Sequence, residues 1–257
     1  MSRNTLTALD CNFLDANRIF VASSERGEYR ERRDVALCCC GLPAEPLNWG
    51  FLKPPYADVG ATADAVSAYF AERRLPFNLT LRDENPRPIL ESLGSRGWRR
   101  KLDPTPGMTL AMPKAIPAAP ERLSIEAMRT PEQLVAFREA AFRGFGYPVA
   151  VARFFLSEPL LAMPHVRLYA GLVDGVVVAT SMLIATGTVA GIYWVATLEE
   201  QRGHGYGAAL TWAAVAGGRA FGCEIASLQA SKLGRPVYTR MGFEHVLDYE
   251  HLLPPEA

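Results

Sequence analysis

The stretch 195–208, Val-Ala-Thr-Leu-Glu-Glu-Gln-Arg-Gly-His-Gly-Tyr-Gly-Ala, constrains this chain more than any other. Residues 191–197 before it read as a strand, and residues 206–221 after it read as an Ala-rich helix. A glycine-rich turn at such a junction presents a row of backbone N–H groups, backed by the positive end of the helix dipole. That is an anion site, most often for phosphate. Gly203, Gly205 and Gly207 place no Cβ between the main chain and a diphosphate. Taken alone, the turn also reads as a flexible helix entry with no ligand.

Three phosphate-loop chemistries compete, and the neighbouring residues separate them. A P-loop ends in Gly-Lys-Ser/Thr, and no lysine stands near this turn. Gly203-x-Gly205-x-x-Ala208 fits a loose dinucleotide fingerprint. That fingerprint also needs an acid at the end of the next strand, which here, at residues 225–229, ends in Gln229. The third chemistry rests on two motifs in order. Arg202-Gly203-His204-Gly205-Tyr206-Gly207 resembles the Arg/Gln-x-x-Gly-x-Gly/Ala signature of the GCN5-related N-acetyltransferase (GNAT) family. The run from Ser231 through Gly234 and Tyr238 to Gly242-Phe243 is similar to that family's final strand–helix motif. The resemblance covers roughly residues 122–253.

It implies acetyl-CoA as cosubstrate and a mixed, mostly antiparallel sheet flanked by helices, an α/β (α+β) fold. It implies cofactor contacts from Val195 and Thr197 along the pantetheine arm, from Arg202, Gly203, His204, Gly205, Tyr206, Gly207 and Ala208 at the pyrophosphate, and from Ser231. It also implies that Tyr238 protonates the departing CoA thiolate. Many family members carry a glutamate base on the strand before the glycine loop, and residues 191–197 contain no acid. Glu199, Glu200, Glu244, His245 and Glu250 are then unplaced candidates, and a water chain is another. The expected activity is N-acetylation of a small-molecule amine or, second, of a protein amine; the alternative is a non-catalytic acyl-CoA-binding or regulatory protein. Phe142, Phe145, Tyr147 and Phe154 lie on segments that wall the acceptor pocket in this fold. As core residues they say nothing of substrate; facing the cleft they suit an apolar or aromatic amine. Trp194 and Trp212 are candidates for limiting an acyl pocket.

Composition narrows the remaining classes. Hydrophobic residues make up 49% of 257, enough for a sizeable core. No apolar run reaches the roughly 20 residues of a membrane span. Residues 1–7 lack the hydrophobic core of a signal peptide, so a cytoplasmic location is expected. A formal charge of zero gives no basic footprint for nucleic acid. Five cysteines suit a reducing compartment. Cys38-Cys39-Cys40 on a strand cannot gather on one metal, because neighbouring side chains point to opposite faces; buried free thiols and no metal site are expected.

Residues 113–120, with three prolines in eight positions, read as a stiff linker between residues 1–112 and 121–257. The two halves resemble each other at an offset of 145 positions: Trp194 falls on Trp49, Gly205 on Gly60, Gly242 on Gly97 and Phe243 on Trp98. The order strand (48–52), loop, helix (62–74), strand (77–82), helix (89–95) repeats the later one. The same offset turns Arg202 into Ala57, Gly203 into Asp58 and Tyr238 into Leu93. The expectation is a tandem chain: an acetyltransferase-like first half that has lost its cofactor site, and a second half, 121–257, that keeps it; the alternative for the first half is an unrelated α/β domain that shares the arrangement. That second half should run strand 123–128, helix 131–143 with Thr130 as N-cap, a short helix 149–157, hairpin strands 165–173 and 176–186 around Asp174-Gly175, and a closing strand pair over 243–253. The oligomeric state is not legible.

Overall fold

The computed structural model describes residues 3–82, 86–101 and 103–256. The chain opens with a helix, α1 (Arg3–Ala22), followed by β1 (Glu28–Glu31), β2 (Val35–Cys39), β3 (Asn48–Leu52), α2 (Val59–Arg73), β4 (Asn78–Leu81), α3 (Arg87–Gly94), β5 (Arg99–Arg100) and β6 (Thr105–Ala111). After the linker come β7 (Ser124–Ala127), α4 (Pro131–Phe145), α5 (Pro159–Ala162), β8 (Val166–Val173), β9 (Val176–Thr186), β10 (Val189–Thr197), α6 (Tyr206–Ala220), β11 (Ile225–Gln229), α7 (Arg235–Arg240) and β12 (Glu244–Leu253). The helix start at Thr130 is a complete capping box: its hydroxyl accepts from the Gln133 N–H, and the Gln133 side chain accepts from the Thr130 N–H.

Among the described residues the strands form one mixed, largely antiparallel sheet in the order β1-β2-β3-β4-β12-β6-β11-β10-β9-β8-β7, with β5 beside β12. Only β3·β4 and β10·β11 pair in parallel, each joined by its own crossover helix, α2 and α6. The repeated order of elements is therefore visible in three dimensions. The linker, however, does not divide the sheet. β6, from residues 1–112, lies between β11 and β12 of the second half, and β12 continues onto β4 and β5 of the first. Each half thus receives its closing strand from the other. This corrects the closing strand pair expected over 243–253. That segment is one ten-residue strand whose two ends have different partners, Glu244 to Tyr249 on β6 and Glu250 to Leu252 on β4. The short helix expected at 149–157 is instead a 3-10 turn, Val149–Phe154, ended by extended Phe155.

The sheet has one face under α2, α3, α6 and α7 and another under α1, α4 and α5. Cys38 and Cys40 enter the core beneath α1 and α4, whereas Cys39 enters the one beneath α2. The alternation of a strand thus separates the thiols, all three of which are buried and free. α1 was not anticipated. Its apolar positions Leu9, Phe13, Ala16 and Phe20 follow helical spacing, and it packs against β1 and β2 on one side and β9 and β10 on the other. Polar ties fix it: Asn12 donates to the Ile184 carbonyl (2.9 Å) and accepts from the Tyr193 hydroxyl (2.7 Å), and Asp10 pairs with Arg82.

Candidate active site

β10 carries the device that opens the cleft. Tyr193 faces Met182 and Ala196 faces Thr180 across β9, so three steps on β10 match two on β9. The extra residue is a bulge, with Trp194 at φ 51° and its carbonyl accepting from the Thr180 hydroxyl at 2.9 Å. β10 holds β11 only from Val189 to Gly191. Beyond that point the two parallel strands are unpaired, and main-chain groups around Val195 face a gap instead of a neighbour.

The gap opens into a cavity of about 1030 Å³. Its walls include Val195, Thr197, Arg202, Gly203, Gly205, Tyr206, Gly207, Ala208, Ser231 and Tyr238. Of the expected cofactor contacts and Tyr238, only His204 is absent from this lining: it is exposed, stacked on Tyr206 and facing the Gln201 carbonyl through Nδ1. Gly203 and Gly205 have φ of 84° and 79°, which glycine adopts without strain. A Cβ at Gly203 would meet nothing within 4 Å, so the main chain there is open to a ligand. The N–H groups of Gly203 through Ala208 have no hydrogen-bond partner among the described residues. The Arg202 N–H, by contrast, is taken by the Glu199 carbonyl at 3.2 Å, so the free row begins one residue later than the sequence suggests.

Arg202 is also used structurally. Its guanidinium donates to the Thr197 carbonyl (3.4 Å) and the Gly144 carbonyl (3.1 Å), tying the turn to the end of α4. Arg143, Lys232 and Arg240 join it around the cavity against a lone carboxylate, Glu199, so the lining is cationic. A diphosphate fits this donor set, in which unpartnered N–H groups sit at the start of a fifteen-residue helix with basic side chains around them.

Tyr238 projects from α7 into the opposite wall and is 8% exposed. Burial raises its pKa to about 12, with a hydrogen bond to Thr211 offsetting part of the shift, so the phenol stays protonated at neutral pH. The acids left open by the sequence are now placed. Glu200 pairs with Arg143 (3.0 Å), Glu250 is held by Arg100 (2.5 and 2.6 Å), and His245 pairs with Asp248 (2.9 Å). None of these, nor Glu244, lines the cavity.

The aromatic candidates divide. Phe142 is fully buried and Phe154 packs against the same core, but Phe145 is 41% exposed and lines the cavity. Tyr147 stacks behind Phe145 at 5.9 Å, and Trp194 stands edge-on to it at 5.4 Å. Trp212 lines the cavity, whereas Trp194 stacks on Phe142 in the core. Sequence reasoning did not find Pro117, which brings the linker into the wall, or Val237 and Met241, whose spacing around Tyr238 on a helix was the available signal.

In the first half, the position equivalent to the glycine turn is closed. Asp58 caps α2 by accepting from the Ala61 N–H (2.9 Å), and Thr62 donates to Asp34 (2.7 Å). The helix end is satisfied by the protein's own carboxylate. Among the described residues no group of three or more His, Cys, Asp or Glu side chains is arranged to hold a metal ion. No described helix is long and apolar enough to cross a membrane.

No curated protein matches the sequence. Solved structures do resemble the fold. A GCN5-related N-acetyltransferase from Kribbella flavida shares 21% identity and covers 95% of both chains at a TM-score of 0.67. One from Sphaerobacter thermophilus shares 16%, covering 87% of this chain and 82% of its own at 0.63. A tandem GNAT protein from the clavulanic acid biosynthesis pathway shares 16%, covering 87% and 80% at 0.55. At these identities the likeness is one of fold. The sequence itself matches the Acetyltransferase (GNAT) family over residues 134–243, a segment that runs from α4 to the start of β12. The chain thus carries, over residues 134–243, a domain of the GNAT acetyltransferase family, whose chemistry is acyl transfer from acyl-CoA.

Proposed function

We propose that this protein is an acetyl-CoA-dependent N-acetyltransferase for a small-molecule amine, with its chemistry in residues 121–257 and a degenerate copy of the same fold in residues 1–112. One observation carries the reading: a single cavity joins the unpartnered N–H row at Gly203–Ala208, the unpaired stretch of β10 at Val195 and the buried phenol of Tyr238. When bound, acetyl-CoA supplies an activated acyl carbonyl and a thiol leaving group. The turn and α6 hold its diphosphate, with Ser231 beside it and the exposed His204 facing the same anions. Val195 and Thr197 offer main-chain groups to the pantetheine arm in the manner of an added strand, and the Val195 N–H polarises the thioester carbonyl. Tyr238, protonated at neutral pH, donates to the leaving sulfur. Free thiols in the buried core suit a reducing, cytoplasmic setting.

The absence of a carboxylate from the described part of β10 favours one other reading, a non-catalytic acyl-CoA-binding protein. Calorimetric titration of acetyl-CoA tests what both share. The expected result is micromolar binding, about −8 kcal/mol, abolished by Gly205→Glu, at one equivalent per chain because Asp58 closes the first-half helix end. A wild type that does not bind removes both readings, and two equivalents would restore a cofactor site to residues 1–112. Release of CoA thiol in the presence of an amine then separates enzyme from binder.

A further inference from the structure

Trp194 and Val195 have no register partner on either side of β10. The ladder with β9 passes from Tyr193 opposite Met182 to Ala196 opposite Thr180, and β11 has parted beyond Gly191. A side chain takes over where the ladder stops: the Thr180 hydroxyl donates to the Trp194 carbonyl at 2.9 Å. Thr180 is fully buried and does not line the cavity, so it cannot touch a molecule bound there. The Trp194–Val195 peptide is trans, and its C=O and N–H therefore point in opposite directions. With the carbonyl turned to Thr180 on β9, the Val195 N–H is turned the other way. It faces the side that β11 has vacated, where Val195 lines the cavity.

This conformation needs holding. Trp194 at φ 51° occupies a region that large L residues rarely adopt. Its ring is clamped by Phe142 at 5.5 Å, Phe145 at 5.4 Å and Phe155 at 5.2 Å. Those ring contacts keep the bulge in place, but they do not fix the rotation of the next peptide, which turns about ψ of Trp194 and φ of Val195. The hydrogen bond from Thr180 does. We infer that Thr180 is a positioning residue for acyl transfer, whose hydroxyl locks the Trp194–Val195 peptide so that the Val195 N–H is aimed at the thioester carbonyl. The inference rests on the acetyltransferase reading and adds to it a residue outside the cavity. A donor helps most when it is aimed beforehand at the oxygen on which charge collects, because nothing then has to reorganise during the reaction. Donation by Thr180 also polarises the peptide and strengthens its N–H as a donor. A peptide free to rotate would instead turn its carbonyl to the cavity for part of the time, and that dipole repels the same oxygen.

The test is the infrared stretch of the thioester carbonyl in acetyl-CoA bound to the full chain, isolated by isotope labelling of that carbon. A donated hydrogen bond lowers this frequency. Thr180→Val keeps the shape of the side chain and removes its hydroxyl, whereas Thr180→Ser keeps the hydroxyl. In the valine variant the stretch is expected to move to higher frequency than in the wild type. Its calorimetric Kd for acetyl-CoA should stay within about fivefold, since the N–H row of the glycine turn is untouched. In the serine variant the stretch should return to the wild-type position. Thr180→Ala also lacks the hydroxyl but places no methyl against the Trp194 carbonyl, so it should show the valine shift even if valine disturbs the fold. A hydroxyl-free variant that binds acetyl-CoA with the wild-type stretch overturns the inference. So does a serine variant shifted as far as the valine one, which assigns the effect to packing. A wild type that binds no acetyl-CoA fails at the earlier step and takes the acetyltransferase reading with it.

Discussion

At the scale of single residues, Tyr238 separates the two functional readings. Tyr238→Phe removes one hydroxyl from a ring that is packed against Phe243. For an enzyme, kcat should fall about tenfold to a thousandfold while acetyl-CoA affinity stays unchanged, because the thiolate needs its proton only as it leaves. A binding protein should be indifferent, and calorimetry beside a thiol-release assay distinguishes the outcomes. Most of this site was legible as sequence because its spacing is local: three glycines in five residues and a tyrosine four positions before Gly242 fix their own geometry. Arg202 was legible as a charge but not as a tether, since its partners Thr197 and Gly144 are assembled by folding. Phe145 and Phe142 illustrate the same limit. Three residues apart on one helix, one lines the cavity and the other is fully buried.

At the scale of elements, α1 is the piece that sequence reading passed over, although its apolar spacing is helical. No short motif marks it, and its role depends on strands about 170 residues away. Asn12 is 1% exposed, and its amide serves both β9 and β10. Asn12→Leu leaves the buried Tyr193 hydroxyl without its acceptor and should cost about 1–3 kcal/mol in urea unfolding. Adding Tyr193→Phe should recover part of that loss, because the orphaned hydroxyl is then gone; a purely additive double variant would show that the contact contributes nothing. The bulge in β10 was equally hidden. Trp194 was legible as a landmark shared with Trp49, but its positive φ arises from a register mismatch with β9 that only the paired strands reveal.

At the scale of the whole molecule, the halves interlock through β6 and β12, and His251 sits at the join. On β12, its Nδ1 meets Thr80 of β4 and its Nε2 meets Thr105 of β6, each at 2.9 Å. Burial, aided by the nearby Lys101 charge, lowers its pKa from 6.5 to about 4. The neutral ring is the folded form, so the unfolded chain binds the extra proton between those values. This contribution is complete above pH 6.5 and is lost as pH falls towards 4, by up to about 1.4 kcal/mol per pH unit. Urea unfolding at pH 7 and pH 5 should show the slope, and His251→Gln should flatten it. The proline-rich linker suggested two units in series, and element order alone does not disclose that the closing strands cross over.

That crossing also has a consequence in time. During synthesis β6 emerges before β11, its neighbour-to-be, and waits for it. β4 must wait for β12, the last strand of the sheet to leave the ribosome. The half translated first is therefore not finished until the last strand arrives, and it carries an open strand edge throughout elongation.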